Sequence, residues 1–302
     1  DYTTIQAAID VVSDGDTVSV AAGTYIENIN FNGKNIAVIG ENQKTTIIDG
    51  SNIKAVVAIE IEGSSQNSEL KNFTLRNGGN TVEPSGGLWI SGHTTNCKIE
   101  NVSVLSNNYS GIYMAGWASV QMKNVITSGN SDAGIIIWAE TNATLINFTS
   151  VGNLYGLRIQ GDAQSKNIQI INAIIYNNQN GSFLNYGDKS DKISIYYSNI
   201  KDGQSGLENS TVTWGSGNFD SDPLFVDAAN GNYHLSNFSP AIGAGIASIV
   251  IDGVTYNAPS TDIDGNSRPN PSGSAPDMGA YESKYSSRNP KANTISDGLS
   301  DT

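Results

Sequence analysis

The chain has 302 residues, 38% of them hydrophobic, with 29 acidic against 16 basic side chains and a formal net charge of −13. That balance argues against nucleic acid or an anionic membrane as partner, and disfavours an acidic polysaccharide unless cations or a local basic patch intervene. No apolar run reaches the ~18 residues of a membrane span, the lone cysteine, Cys97, has no partner for a disulfide, and the opening at Asp1 reads as a processed or trimmed chain.

Residues 3–13 (TTIQAAIDVVS) place Ile5, Ala8, Ile9 and Val12 at the spacing of an amphipathic helix, with Thr3 or Thr4 as cap and Asp14-Gly15 as stop. The run DTVSVAAGTYIENINFNGKNIAVIG supplies irregular strands, and TTIIDG closes a first coil near Gly50. A longer unit from Ala58 to Gly86 turns Ile59, Ile61 and Leu70 inward, followed by Asn72, Phe73 and Leu75.

From Gly87 to Ser205 the sequence repeats itself. Units start at Gly87, Gly111, Gly134, Gly156 and Gly181, in steps of 24, 23, 22 and 25 residues. A fixed period of this size means one supersecondary unit stacked on copies of itself. Each unit holds three short alternating runs, such as LWI, CKI and VSVL, and no helix. The expected fold is therefore an all-β, three-sheet parallel β-solenoid, one elongated body capped by the helix, since an open coil end exposes unpaired strand edges. Asn72, Asn101, Asn124, Asn147, Asn172 and Asn199 recur before the third strand, and Asn77, Asn107, Asn130, Asn153 and Asn177 after it. Asparagine tolerates the left-handed backbone of a sharp turn. Stacked about 4.8 Å apart, the amides predict hydrogen-bonded ladders. Cys97 falls at an inward position matched with Met122 and Leu145, a core site rather than a nucleophile.

After Ser205 the period is lost, and a closing segment over 206–282 is expected to plug the last coil with Leu224, Phe225, Tyr233, Leu235, Ile242, Met278 and Tyr281. The polar stretch 283–302 reads as linker, leaving 1–282 as one domain with 1–50 as N-terminal cap and first coil and 51–205 as regular coils. The motifs IQAAID, GDTVSVAAGTYIENI and IIDG resemble the N-terminal part of secreted right-handed parallel β-helix proteins of the pectate-lyase-like superfamily. SDPLFVDAANGNYHLSNFSPAIGAG and DIDGNSRPNPSGSAPDMGAYES resemble the closing segment of bacterial choice-of-anchor proteins. The resemblance implies a right-handed β-helix and an extracellular or cell-surface bacterial setting. A polysaccharide partner is expected from the outward face of the coils.

Alternation assigns an outward row on the first strand of each unit, Glu60, Trp89, Tyr113, Ile136, Arg158 and Phe183, and a second row of Glu62, Ser91, Ala115, Trp138, Gln160 and Asn185. The following turns add His93, Trp117, Glu140, Asp162 and Asp188. Aromatic faces stack on the apolar faces of sugars while carboxylates and amides bond hydroxyls. The candidate substrate-binding set is Glu60, Glu62, Trp89, His93, Trp117, Trp138, Gln160, Asp162 and Phe183; packing or a protein interface is the competing reading of the same rings. If the strip turns over its substrate, Arg158, Glu140 and Tyr113 are the catalytic candidates for a lyase. A hydrolase needs paired carboxylates at a defined gap, for which Glu60 and Glu62 are the nearest pair. Clustered aspartates with a GHG-like motif, and an Asp-rich calcium cluster with a catalytic arginine, are what the resemblance implies for the enzymes of that superfamily, and this sequence departs from them by having neither. Asp262, Asp264, Asp277 and Glu282 suit either Ca²⁺ or pairing with Arg268, whereas His93 and His234 are too far apart for a metal pair. The alternative to a polysaccharide-recognising protein is a structural or adhesive rod that binds protein or other copies of itself.

Overall fold

The computed structural model describes residues 2–61, 67–80, 83, 85–92, 96–161 and 166–289. It is a right-handed parallel β-solenoid behind a short N-terminal α-helix, Ile5–Val11. Thr4, in extended backbone, caps that helix by accepting from the Ala7 amide at 3.2 Å. Ile5 and Ile9 are buried against the first coil, with Ala8 and Val12 packed beside them. The first coil also satisfies both helix ends. The Glu27 carboxylate accepts from the amides of Ile5 and Gln6, and the Lys34 ammonium donates to the carbonyls of Ile9, Asp10 and Val12. Each charge sits at the end whose orphan groups and dipole it complements. Among the described residues no helix is long and apolar enough to cross a membrane.

The expected three faces form two hydrogen-bonded sheets. One has seven strands, in the spatial order Phe183–Tyr186, Tyr155–Gln160, Ala133–Trp138, Ile112–Met114, Leu88–Gly92, Val57–Ile61 and Ile29–Asn30. The other two faces join into one 14-stranded sheet. They join because Glu69–Arg76, Cys97–Leu105 and Ser119–Ser128 each turn a corner without losing their pairing. The corner is the asparagine: Asn72, Asn101 and Asn124 have φ of 64°, 54° and 52°. A left-handed residue resets the alternation, so Leu70 and Phe73 both point inward across it. Inside, Leu70, Ile99, Met122, Leu145, Ile170 and Ile195 stand in register from coil to coil, all buried. Cys97 lines up with Val120 and Ala143, one inward position before the Met122–Leu145 pair expected for it.

Both ladders form, with shifts at the later coils. Asn101 donates to Asn72 and Asn124 to Asn101, at 3.1 and 3.0 Å. Asn199 is not a member: Tyr197, at φ 49°, takes the left-handed corner. The second ladder, buried at Asn107, Asn130 and Asn153 and half-buried at Asn178, runs through these four with amide-to-oxygen distances of 2.8, 2.8 and 3.0 Å. Asn178 therefore replaces the expected Asn177, and at the other end the Gly78 amide donates to Asn107 in place of Asn77.

The closing segment does not plug the last coil. It folds back along the flank of the solenoid and breaks into the first ladder. Arg268 donates to Asn124 Oδ1 at 2.8 Å, Asn147 donates to the carbonyls of Asp277 and Gly279, and Asn172 exchanges two bonds with Ile246. Leu235, Ile242 and Met278 pack on Ile174 and Tyr176, while Tyr233 and Tyr281 pack near Ile126 and Ile263. Leu224 is exposed. Stacking itself continues past Ser205, through Thr211–Trp214 and Phe219. Residues 283–289 remain attached, Ser283 donating to Asp277 and Asn289 to the Asn237 carbonyl.

Candidate functional site

The outward face of the seven-stranded sheet carries the aromatic groups that alternation placed there, in a register one part of which differs. In line across coils are Ala58, Trp89, Tyr113, Ile136, Arg158 and Leu184, and the next outward row runs Glu60, Ser91, then Trp138, Gln160 and Tyr186. Glu60 thus belongs beside Ser91 and not beside Trp89; its carboxylate accepts from Asn30 at 2.7 Å. Phe183 points into the core beside Leu157, and Asn185 is buried beside Ile159. The cause is one residue. A methyl on Gly111 would meet the Gly134 carbonyl, and one on Gly156 would meet the carbonyl of Ser182, so the column of close approach passes through Ser182 and not Gly181. A slip of one exchanges the inside and outside of the whole strand. Glu62, His93 and Asp162 lie outside the described residues.

Trp89 and Tyr113 stack with ring centroids 4.3 Å apart and planes within 4°. Rings piled along the coil axis spend their faces on each other, which is why both are buried, at 9% and 7% exposure. They act as a platform. Trp138 meets Tyr113 edge-on at 6.3 Å and 61°, is 44% exposed, and lies against Gly161, whose positive φ and missing side chain leave room for the indole. Among the described residues Trp117, on the turn after Ile112–Met114, and Tyr186, in line with Gln160, are also exposed, at 55% and 62%. From Trp117 to Tyr186 is three coils, about 14–15 Å.

Two charged groups of the face are engaged with each other. Arg158 pairs with Asp132 at 2.6 Å and donates to the Tyr109 hydroxyl at 3.4 Å. Burial, with the charges of Tyr109 and Glu83 behind it, pushes the Tyr113 phenol up to about 12, so it remains protonated. Glu140 is half-buried on the turn after Trp138. Arg158, Tyr113 and Glu140 are thus on one face, but the cation is neutralised by a partner that sequence reading missed. Tyr109, Asp132 and Leu154 all stand two residues before a repeat-initial glycine, and backbone bonds from Asp132 to Tyr109 and from Leu154 to Asp132 stack them. Their common offset was the available signal. Tyr186 was recoverable likewise: it stands four residues after Ser182, as Trp138 does after Gly134.

The acidic group in the closing segment pairs with Arg268. Its guanidinium bonds Glu282 at 2.9 Å, and Asp262 accepts from the amides of Asp264, Asn266 and Glu282. Among the described residues no cluster of three or more His, Cys, Asp or Glu is arranged to hold a metal ion. His234 bridges Asn232 and Asp264, and Asp264 also binds Lys44.

Residues 57–220, more than half of the chain, match the family model for the right-handed β-helix region. No curated protein matches the sequence. Among solved structures the chain is similar to the pectate lyase Pel9A, at 16% identity over 91% of this chain and 90% of that one, with a TM-score of 0.49. It is also similar to the pectin methylesterase from carrot, at 15% identity over 72% and 82% of the two chains, TM-score 0.48. The A-module of a mannuronan C-5 epimerase from Azotobacter vinelandii matches at 15% identity over 72% and 94%, TM-score 0.31. At these identities the likeness is one of fold.

Proposed function

This chain belongs to the right-handed β-helix family, and on that premise we propose that the outward face of its seven-stranded sheet binds a polysaccharide chain. The observation that carries the reading is the exposed set Trp138, Trp117 and Tyr186, spread over four coils and backed by the buried Trp89–Tyr113 stack. Coils repeat at about 4.8 Å, close to the length of one sugar ring in a chain, so Trp117 and Trp138 meet successive sugars, Gln160 the next and Tyr186 the one after. Supporting hydrogen bonds come from Gln160, with Glu60 and Glu140 at the margins. Within this reading Trp89 supports the platform, and Phe183 belongs to the core. The resemblance of the closing segment supports a secreted, cell-surface setting in a bacterium.

Holding, without turnover, is the chemistry this face supports best. The Arg158 charge is matched by Asp132, and a phenol at about 12 is no base at neutral pH. The test is calorimetry and affinity electrophoresis against plant, algal and microbial polysaccharides. Trp138→Ala should weaken binding about tenfold, equivalent to ~1.4 kcal/mol, with the melting temperature unchanged. A variant that binds like the parent would overturn the assignment. Unsaturated or reducing ends that appear with the parent and vanish in Arg158→Ala would make the face an active site.

One observation favours a second reading, a rod that associates end to end. The partly buried apolar residues packed against the main core sit at its two ends, Ala8, Val12 and Tyr25 at one and Val212 and Trp214 at the other. Such an interface is head-to-tail and does not close. Concentration-dependent growth in sedimentation velocity, lost in Trp214→Lys, is its expected signature.

A further inference from the structure

Resting on the polysaccharide reading of the seven-stranded sheet, we infer that the chain it takes is an uncharged glycan and not a polyuronate. The argument is one of charge placement. In the strands and adjoining turns that build the central face, over residues 57–61, 83–92, 109–117, 131–140 and 155–161, Arg158 is the single lysine or arginine among the described residues. Its guanidinium is already compensated by Asp132 at 2.6 Å, with both side chains largely buried. The same segments carry Glu60, Glu83, Asp132 and Glu140. The undescribed positions within or next to these segments, 62–66, 81–82, 84, 93–95 and 162–165, add Glu62 and Asp162 and no lysine or arginine. Lys166 is fully buried against Asp191, and Lys54 and Lys189 stand on turns before and after the strands of the central face.

A polyuronate presents a carboxylate on every sugar. Along the central coils each would approach acids of like sign, where among the described residues of the segments named above the one cation, Arg158, is already paired, an arrangement that rejects a ligand more strongly than neutral contacts attract it. An uncharged chain meets no such field. Its ring faces lie on Trp138, Trp117 and Tyr186, and its hydroxyls donate to the same carboxylates that repel a uronate. The acids that exclude one class of glycan are acceptors for the other.

The experiment measures binding of the full chain to galactomannan and hydroxyethylcellulose, and to polygalacturonate and alginate, each with calcium chloride and with EDTA, at low and high salt. Expected are binding to at least one uncharged glycan that changes less than about twofold with salt, and none to either polyuronate in calcium or EDTA. Polyuronate binding without uncharged-glycan binding, in either condition, overturns this inference and leaves the polysaccharide reading standing. Binding to none of the four, extended to a wider glycan panel with the same result, removes the polysaccharide reading and this inference with it. Asp132→Asn uncovers the Arg158 charge and should bring measurable low-salt affinity for polygalacturonate. A folded Asp132→Asn protein that still rejects polygalacturonate would refute the paired-charge argument. Where that variant does not fold, the parent panel decides.

Discussion

At Gly111 an added methyl would stand 2.6 Å from the Gly134 carbonyl oxygen and 2.8 Å from the Asn130 amide nitrogen. Neither can retreat, because Gly134 belongs to the next coil and Asn130 to the buried ladder. Gly111→Ala should therefore cost about 1–3 kcal/mol by overpacking, read by chemical denaturation; a neutral substitution would show that the coils can spread. Asp277 poses an electrostatic problem. Its carboxylate accepts from the Gly243 and Ser283 amides, yet burial first and the Glu282 charge second push it up from 3.8 to about 7. A carboxyl whose folded pKa exceeds its unfolded one stabilises fully below the unfolded value, and that contribution is lost as pH rises through the folded one. The melting temperature of the parent should fall relative to Asp277→Asn between pH 3.8 and about 7, then run parallel to it. A pH-independent difference would place the Asp277 carboxyl in the ordinary range.

The closing segment is the element whose position matters most for integrity. It lies across several coils, pinned at Asn124, Asn147 and Asn172. Arg268 is its clamp, 6% exposed, bonding Glu282, Asn124 and the Gly279 carbonyl. Replacing Arg268 by Met keeps the bulk but leaves Glu282 buried and unpaired, a loss of about 3–5 kcal/mol. Hydrogen exchange should then accelerate over residues 241–282 while the ladder of Asn107, Asn130 and Asn153 stays protected. Unchanged exchange in the closing segment would mean its apolar contacts alone hold it. The N-terminal helix shows the same economy on a smaller footprint, because Glu27 and Lys34 of the first coil satisfy its ends.

Taken as one body, the solenoid is a stack in which each coil contacts its neighbours, so unfolding could proceed from either end. The closing segment opposes that by tying distant coils together. Cys97 reports on the outcome: it is fully buried near the middle of the stack, and desolvation pushes its thiol up to about 12. Native protein should resist alkylation at neutral pH, and the denaturant midpoint for alkylation should coincide with the loss of β-sheet signal. Alkylation at lower denaturant would show that the coils around Cys97 open before the rest.

Much was legible from residues alone. Alternating Leu88, Ile90, Ile112 and Met114 declared an inside, recurring glycines the coil, and recurring asparagines the corner, because strand alternation and left-handed turns are local consequences of chain geometry. The face bearing Trp138 and Arg158 followed from the same periodicity. Other features needed the folded chain. Whether Gly181 or Ser182 begins its coil depends on which backbone meets Gly156, and that choice moved Phe183 from surface to core. Trp89 is covered by Tyr113 and Arg158 neutralised by Asp132, contacts between neighbouring coils that no single strand encodes. The closing segment has no period to read, and its path along the flank is set by unsatisfied asparagine amides and apolar surface that exist only once the coils have stacked.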